Sequence, residues 1–361
     1  METHIIERDG KPIFVLLDDE MRIVMPVYRF LEYQRLRNRA FNTLKANSSD
    51  LRLYWMFLRD NRYMYDQISP ITIADFIDYL RTSDDGAIVL NKESKRTNKT
   101  INRILSTVYM FYQFEAEMNE INNPILMHEV SRPFNAFKGI LEHTKSDNKT
   151  KQSIWKVKER SYEPKLVTDY EMELVLNALD KRRDILLYKT LYLTGARIQE
   201  ALDLEIDSIP VPDMSQAVGC IHQIKSKGKT RDLYVPMMLI RELDDFIFQE
   251  RILIDTDHSY IFVSEQKRQL GKQLTYRAAY DKLKKVQAEV GVTFNFHDLR
   301  HTFCSHLVET GMDVSFVRII MGHENIFTTQ KYTHLSNLFI ADALSEYWSK
   351  SMLLGGYTNE K

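Results

Sequence analysis

Apolar residues recur at helical spacing through most of the chain, and short extended runs are few. Leu51, Tyr54, Trp55 and Leu58 mark i, i+3, i+4 and i+7, the stripe of an amphipathic helix, inside a helical pattern that runs on from Met25. "ITIADFIDYLRT" predicts another helix. "TNKTINRILSTVYMFYQFEAEM" predicts a longer one, with Ile101, Ile104, Leu105 and Val108 on one face. Asn122-Asn123-Pro124 closes that region. Ahead of the helices, "IIERDGKPIFVLL" sets Asp9-Gly10 between two apolar runs, which predicts a small β extension.

The pattern then lapses. "EHTKSDNKTKQSIWKVKERSYEPK" is polar and rich in lysine, and reads as a linker. Periodicity resumes sharply at Thr168-Asp169-Tyr170-Glu171, a capping box ahead of "MELVLNAL". Helices are expected at "DILLYKTLYLTG", "ARIQEALDLEI", "MMLIRELDDFIFQERI", "TYRAAYDKLKKVQAEVG", "HDLRHTFCSHLVETG" and "VSFVRIIMG". Between the second and third of these, "VGCIHQIKSKGKTRDLYVP" reads as two strands joined by a Lys/Gly turn. An amphipathic helical tail runs from Asn337 to Leu354, suited to packing on its own domain or on a neighbouring subunit. The expectation is a mainly α chain of two domains: a β extension over 1–24, a helical domain over 25–140, a basic linker over 141–166, and an α-rich domain with a small antiparallel sheet over 167–361.

Bulk numbers agree with two domains, since 361 residues exceed one typical core. Basic and acidic residues balance at 49 against 50, which argues against a uniformly basic DNA coat but leaves room for a basic face. Two cysteines, Cys220 and Cys304, make neither a disulfide framework nor a four-cysteine zinc site. No signal peptide pattern and no apolar run near the roughly 20 residues of a bilayer span is present, so a soluble, cytoplasmic protein is expected. Lys92, Lys95, Arg96, Lys99 and Arg103 gather at the front of the long helix. They suit a solvated face or a phosphate-contacting one.

The second domain carries the candidate chemistry. "HDLRH" resembles a zinc-peptidase pattern in which His297 and His301 share a helix face. Asp298 is one methylene shorter than the base such a site needs, and Arg300 would set a cation beside the metal. Taken together with other residues, the stretch reads differently. Two arginines can each fork onto the oxygens of one phosphate. Histidines add hydrogen bonds and proton transfer near neutral pH, and a hairpin lysine can donate a proton. A tyrosine can attack phosphorus and hold a covalent intermediate. In such a set the cationic side chains stabilise charge, so no metal or nucleotide cofactor is expected.

"TGARIQEALDL", "HDLRHTF" and "MGHENIFTTQKYTH" resemble, in order and spacing, the three signature boxes of the tyrosine recombinases, or phage integrase family. The length and the β extension are similar to transposase A proteins of site-specific Gram-positive transposons. The resemblance implies a helical core DNA-binding domain followed by a catalytic domain that together clamp double-stranded DNA. It implies a homo-oligomer, four protomers on two DNA sites, and room for accessory proteins. Arg197 and Arg300 would clamp the phosphate, His297 would assist as general base, and His323 would hydrogen-bond the phosphate. Tyr332 would be the nucleophile of a 3′-phosphotyrosyl link, and Lys227 the general acid, with Lys229 next in line. "MGHENIF" departs from the family pattern at Met321 and at Glu324-Asn325. Three other readings are a type IB topoisomerase, a binding module that has lost catalysis, and the zinc peptidase.

Overall fold

The computed structural model describes residues 1–8, 11–81, 96–131, 149–159, 165–226, 229–322 and 344–349. The chain divides into two compact units, Met1–Tyr162 and Glu163–Lys361. The described residues are mainly helical, with three separate two-stranded antiparallel sheets.

The first unit opens with strands β1 (Glu2–Arg8) and β2 (Lys11–Leu17), paired from Glu2↔Leu17 to Arg8↔Lys11. Helices α1 (Met25–Leu36), α2 (Phe41–Asp60), α3 (Pro70–Arg81) and α4 (Asn98–Asn119) follow. The helical pattern that runs on from Met25 is therefore two helices. Asn38 interrupts it with a φ of 55°, a left-handed conformation that asparagine tolerates better than most side chains. Helix α4 starts where the Thr97 hydroxyl accepts from the Thr100 amide. The apolar faces of these helices meet in an aromatic core that includes Phe30, Tyr54, Phe57, Phe76, Phe111 and Tyr112. Its two buried phenols are bonded rather than orphaned: Tyr54 and Tyr112 lie 2.8 Å apart, and Tyr112 donates to the Tyr65 carbonyl.

Part of the stretch that reads as a linker is ordered structure. Strand β4 (Lys149–Ser153) pairs antiparallel with β3 (Met127–Ser131). After it, Trp155 and Val157 pack on the core of the first unit. Asn102 of α4 holds Val157 from both sides, donating to its carbonyl at 2.8 Å and accepting from its amide at 2.9 Å. Polar composition concealed this segment because the strand contributes backbone bonds, and only two of its neighbours are large apolar anchors.

The second unit is built around α6 (Arg182–Thr194), whose leucines and tyrosines are buried on nearly every side, as expected of a helix inside a domain. Before it comes α5 (Asp169–Asn177), which starts on the expected capping box between Thr168 and Glu171. After it come α7 (Ile198–Leu202), β5 (Val218–Ser226), β6 (Lys229–Pro236) and α8 (Met237–Gln249). Helices α9 (Tyr276–Val290), α10 (Phe296–Glu309) and α11 (Val314–Met321) complete the named elements. Helix α6 packs against α8, α10 and β6. Residues 344–349 are helical, and Leu344, Tyr347 and Trp348 join this same core. Trp348 donates to the Leu193 carbonyl at 2.9 Å, and His306 Nδ1 lies 3.2 Å from the Tyr347 hydroxyl. This part of the C-terminal tail thus packs on its own chain, and the rest of 337–354 lies outside the described residues.

Candidate active site

Arg300 is the centre of the site, and its position in α10 is unusual for a cation. The buried residues of that helix include Phe296, Leu299, Arg300, Phe303 and Leu307, so the guanidinium occupies the apolar stripe itself. Only 4% of Arg300 is exposed. It donates to the Gly195 carbonyl at 2.6 Å and also to the Met321 carbonyl. These carbonyls end two helices, α6 and α11, so Arg300 ties both C-termini together where the helix dipoles favour a positive charge. Burial, reinforced by the charges of Arg197 and Arg231, pushes Arg300 down to about 10. It remains charged at neutral pH.

Gly195 makes this geometry possible. It ends α6 at a φ of 60°, and a Cβ there would stand 2.5 Å from Phe303 Cδ1. Glycine satisfies both the left-handed backbone and the missing space. Two residues on, Arg197 caps α7: its amide and its side chain both donate to Glu200, at 2.9 and 2.7 Å. Glu200 is 2% exposed and also accepts from Arg231 Nη2 of β6 at 2.6 Å. Arg231 reaches further, donating to the Ile320 carbonyl at 2.7 Å. Gly322, the C-cap of α11 at φ 59°, lies against the Arg231 side chain, where a Cβ would be 2.5 Å from Cδ.

His297 is an exposed side chain in the first turn of α10. Burial of part of the ring, then the charges of His301 and Arg300, hold it below its ordinary 6.5, so it is neutral at pH 7. Arg197 also contributes to that lowering, which places its charge within reach of the same ring. Neighbouring His301 sits edge-on, with ring centroids 4.7 Å apart. Asp298 does not face them as a base. It is 3% exposed and closes a capping box, accepting from the Asn295 amide at 2.8 Å. Among the described residues, no third His, Cys, Asp or Glu gathers with His297 and His301 as a metal site would require. The zinc-peptidase reading of "HDLRH" thus loses its base to helix capping.

The structure therefore brings Arg197, His297 and Arg300 together in one cationic cluster. Lys227, His323 and Tyr332 lie outside the described residues, as does Lys95. Of the α4 cluster, Lys99 is exposed. Arg96 donates to the Leu80 carbonyl at 3.1 Å, and Arg103 pairs with the buried Asp50. Both thus also hold the first unit together. Glu200 and Arg231 escaped the sequence reading. A carboxylate three residues after Arg197 was a visible signal for Glu200, whereas nothing local distinguishes Arg231 from the lysines beside it.

The phage integrase family model matches residues 165–338, a span that contains Arg197, Arg300 and Tyr332, and the N-terminal SAM-like domain of phage integrases matches residues 27–118. The chain belongs to the phage integrase family. It is a site-specific tyrosine recombinase, of a family of enzymes that cleave and rejoin DNA. Transposase A from transposon Tn554 of Staphylococcus aureus is 27% identical to this recombinase over 96% of the chain and 98% of the relative. Tyrosine recombinase XerD of Oceanobacillus iheyensis is 25% identical, over 88% of the chain and 96% of the relative. In fold, the recombinase is similar to a lambda integrase dimer bound to a COC′ core site, at 15% identity, covering 83% and 94% of the two chains with a TM-score of 0.56. It is also similar to the Tn1549 transposon integrase in complex with transposon right end DNA, at 17% identity, 89% and 98% coverage and a TM-score of 0.56. The mainly helical, two-domain recombinase fold expected from the sequence is thereby established. None of these relatives gives the topoisomerase alternative support. No described helix is long and apolar enough to cross a membrane.

Proposed function

We propose that the recombinase is a transposase that moves its element by cutting and rejoining double-stranded DNA through Tyr332. The observation that supports this reading is the cluster of positive side chains around Arg300. Among the described residues, Arg197 and Arg231 both donate to the buried carboxylate of Glu200, and Arg300 lies within reach of all three charges. A phosphodiester is the anion that this cluster of guanidiniums suits. Arg197 and Arg300 hold its non-bridging oxygens. His323, which follows the α11 cap, hydrogen-bonds the same group, and neutral His297 accepts the phenol proton. The Tyr332 oxygen attacks phosphorus, the bond to the 5′ oxygen breaks, and Lys227 protonates that oxygen. One phosphoester replaces another, so the bond energy is kept in the 3′-phosphotyrosyl link and rejoining needs no nucleotide cofactor.

Strand exchange by this route takes two duplexes and four protomers, with accessory proteins as further partners, in the cytoplasm. The transposase assignment is supported by the near full-length similarity to transposase A of Tn554. DNA contacts in the first unit would come from the front of α4, through Lys95, Arg96, Lys99 and Arg103. The proposed spans are a β extension over 1–24, a core-binding domain over 25–140, a linker over 141–166 and a catalytic domain over 167–361.

A nicked suicide substrate tests the assignment. Wild-type protein should form a covalent adduct that Tyr332→Phe lacks, while DNA binding is retained. An adduct that survives in Tyr332→Phe moves the nucleophile elsewhere.

A further inference from the structure

The β5–β6 hairpin carries a group of side chains that the phosphate pocket does not use. Register shifts between Ile221↔Leu233 and Ile224↔Arg231, so β5 holds one extra residue there, a β-bulge. Gln223 absorbs it with a φ of 55° and donates its amide to Asp232 Oδ1 at 3.1 Å. That bond turns the other carboxylate oxygen toward His222, whose Nδ1 is 3.3 Å from Asp232 Oδ2. On the other side, Cys220 Sγ is 3.5 Å from the same Nδ1. The three donor atoms all lie within 4.8 Å of one another.

We propose that Cys220, His222 and Asp232 form a three-ligand site for zinc on the β5–β6 hairpin. Zinc bonds of about 2.3 Å to sulfur and about 2.0 Å to nitrogen or oxygen, at tetrahedral angles, separate sulfur from nitrogen by about 3.6 Å and nitrogen from oxygen by about 3.3 Å. Both of those separations are already present. The donors are also matched in type, since a thiolate, an imidazole and a carboxylate together suit zinc better than a hard cation. Charge balances as well: thiolate and carboxylate neutralise the divalent ion, with imidazole neutral. His222 is 72% exposed, so the fourth position opens to water. Without an ion, the same contacts amount to an exposed His–Asp pair, which by itself contributes little. Uptake breaks the Cys220 S–H bond and forms Zn–S, with the proton released to solvent. The ion would close the bulge and fix the hairpin one residue from Arg231, which holds Glu200 and the end of α11.

Cobalt titration of the full-length chain is the test, because a thiolate–cobalt bond has its own charge-transfer absorption. One equivalent should produce that band, and zinc should displace it. Cys220→Ser should abolish the band. His222→Ala, a change at an exposed side chain that leaves the fold intact, should weaken binding by more than the roughly 10- to 100-fold that loss of an outer-sphere partner costs. Zinc should also slow modification of Cys220, but not of Cys304, by a disulfide reagent. Absence of the band in wild type overturns the proposal. So does equal affinity in wild type and His222→Ala.

Discussion

Two buried arginines in the second unit have nearly the same exposure and opposite surroundings. Arg251, 2% exposed, is surrounded by neutral acceptors: the carbonyls of Ile254, His258 and Tyr260 and the hydroxyl of Thr256. Burial alone lowers its pKa. Arg300, 4% exposed, meets two carbonyls and then the charges of Arg197 and Arg231. The first arginine completes a loop. The second sits, among the described residues, beside two like charges and the opposing charge of Glu200. Burial is common to both; the sign of the neighbouring charges is what differs.

The largest effect is expected at Arg300 itself. Arg300→Ala should lower strand cleavage by about 10³-fold, roughly 4 kcal/mol of barrier, measured per folded molecule on a suicide substrate. Arg251→Ala should do the converse. It leaves several buried acceptors without a donor and should cost about 3 kcal/mol of stability in denaturant unfolding, with cleavage per folded molecule unchanged. If cleavage fell with Arg251→Ala as it does with Arg300→Ala, the distinction would fail.

His297 reports first its partial burial and then the cationic field. His297→Gln should lower cleavage by about 10²-fold, the lower end of what a positioned base contributes. Its lowered pKa also gives a sign. The folded state holds the proton less tightly than the unfolded one, so this group's contribution is full above pH 6.5 and is lost as pH falls below it. Cleavage by wild type should therefore persist to more acidic pH than an ordinary histidine allows, and His297→Gln should remove that acid limb.

Gly195→Ala sharpens the comparison through an acceptor instead of a charge. It forces a Cβ against Phe303 in a left-handed backbone and should cost about 2 kcal/mol of stability, with cleavage reduced because the carbonyl that anchors Arg300 moves. The smallest effect belongs outside the pocket. Lys99→Ala, at an exposed position, should leave stability within about 0.5 kcal/mol and reduce the salt dependence of DNA binding by about one counterion. Arg103→Ala should differ from it by destabilising the first unit, because the buried Asp50 would lose its cation and keep, among the described residues, only the Thr107 hydroxyl.

Much of the helical frame was legible because its cues are local. The stripe Ile101, Ile104, Leu105 and Val108 is buried as its spacing requires, and the Thr168–Glu171 box begins α5. The boxes around Arg197 and Arg300 stood out through their resemblance, in order and spacing with the third box, to the signature of the phage integrase family. Local cues misled at Arg37–Ala40, where asparagine breaks a pattern that could have continued, and at Lys149–Ser153, where a polar segment finds a strand partner. They could not show Glu200 and Arg231 as a pair, because the contact spans 31 residues and is decided by packing.

Local order of residues determined most of the helical segments, the capped start of α5, and which side chains had the chemistry for a phosphodiester. Those properties depend on neighbours within a few positions. Contacts across the fold decided that Arg300 is held by the ends of α6 and α11, and that one carboxylate serves two arginines. Charge and hydrogen-bond partners brought together across the fold set these roles, since a guanidinium or carboxylate has no fixed function until burial removes water and selects its neighbours.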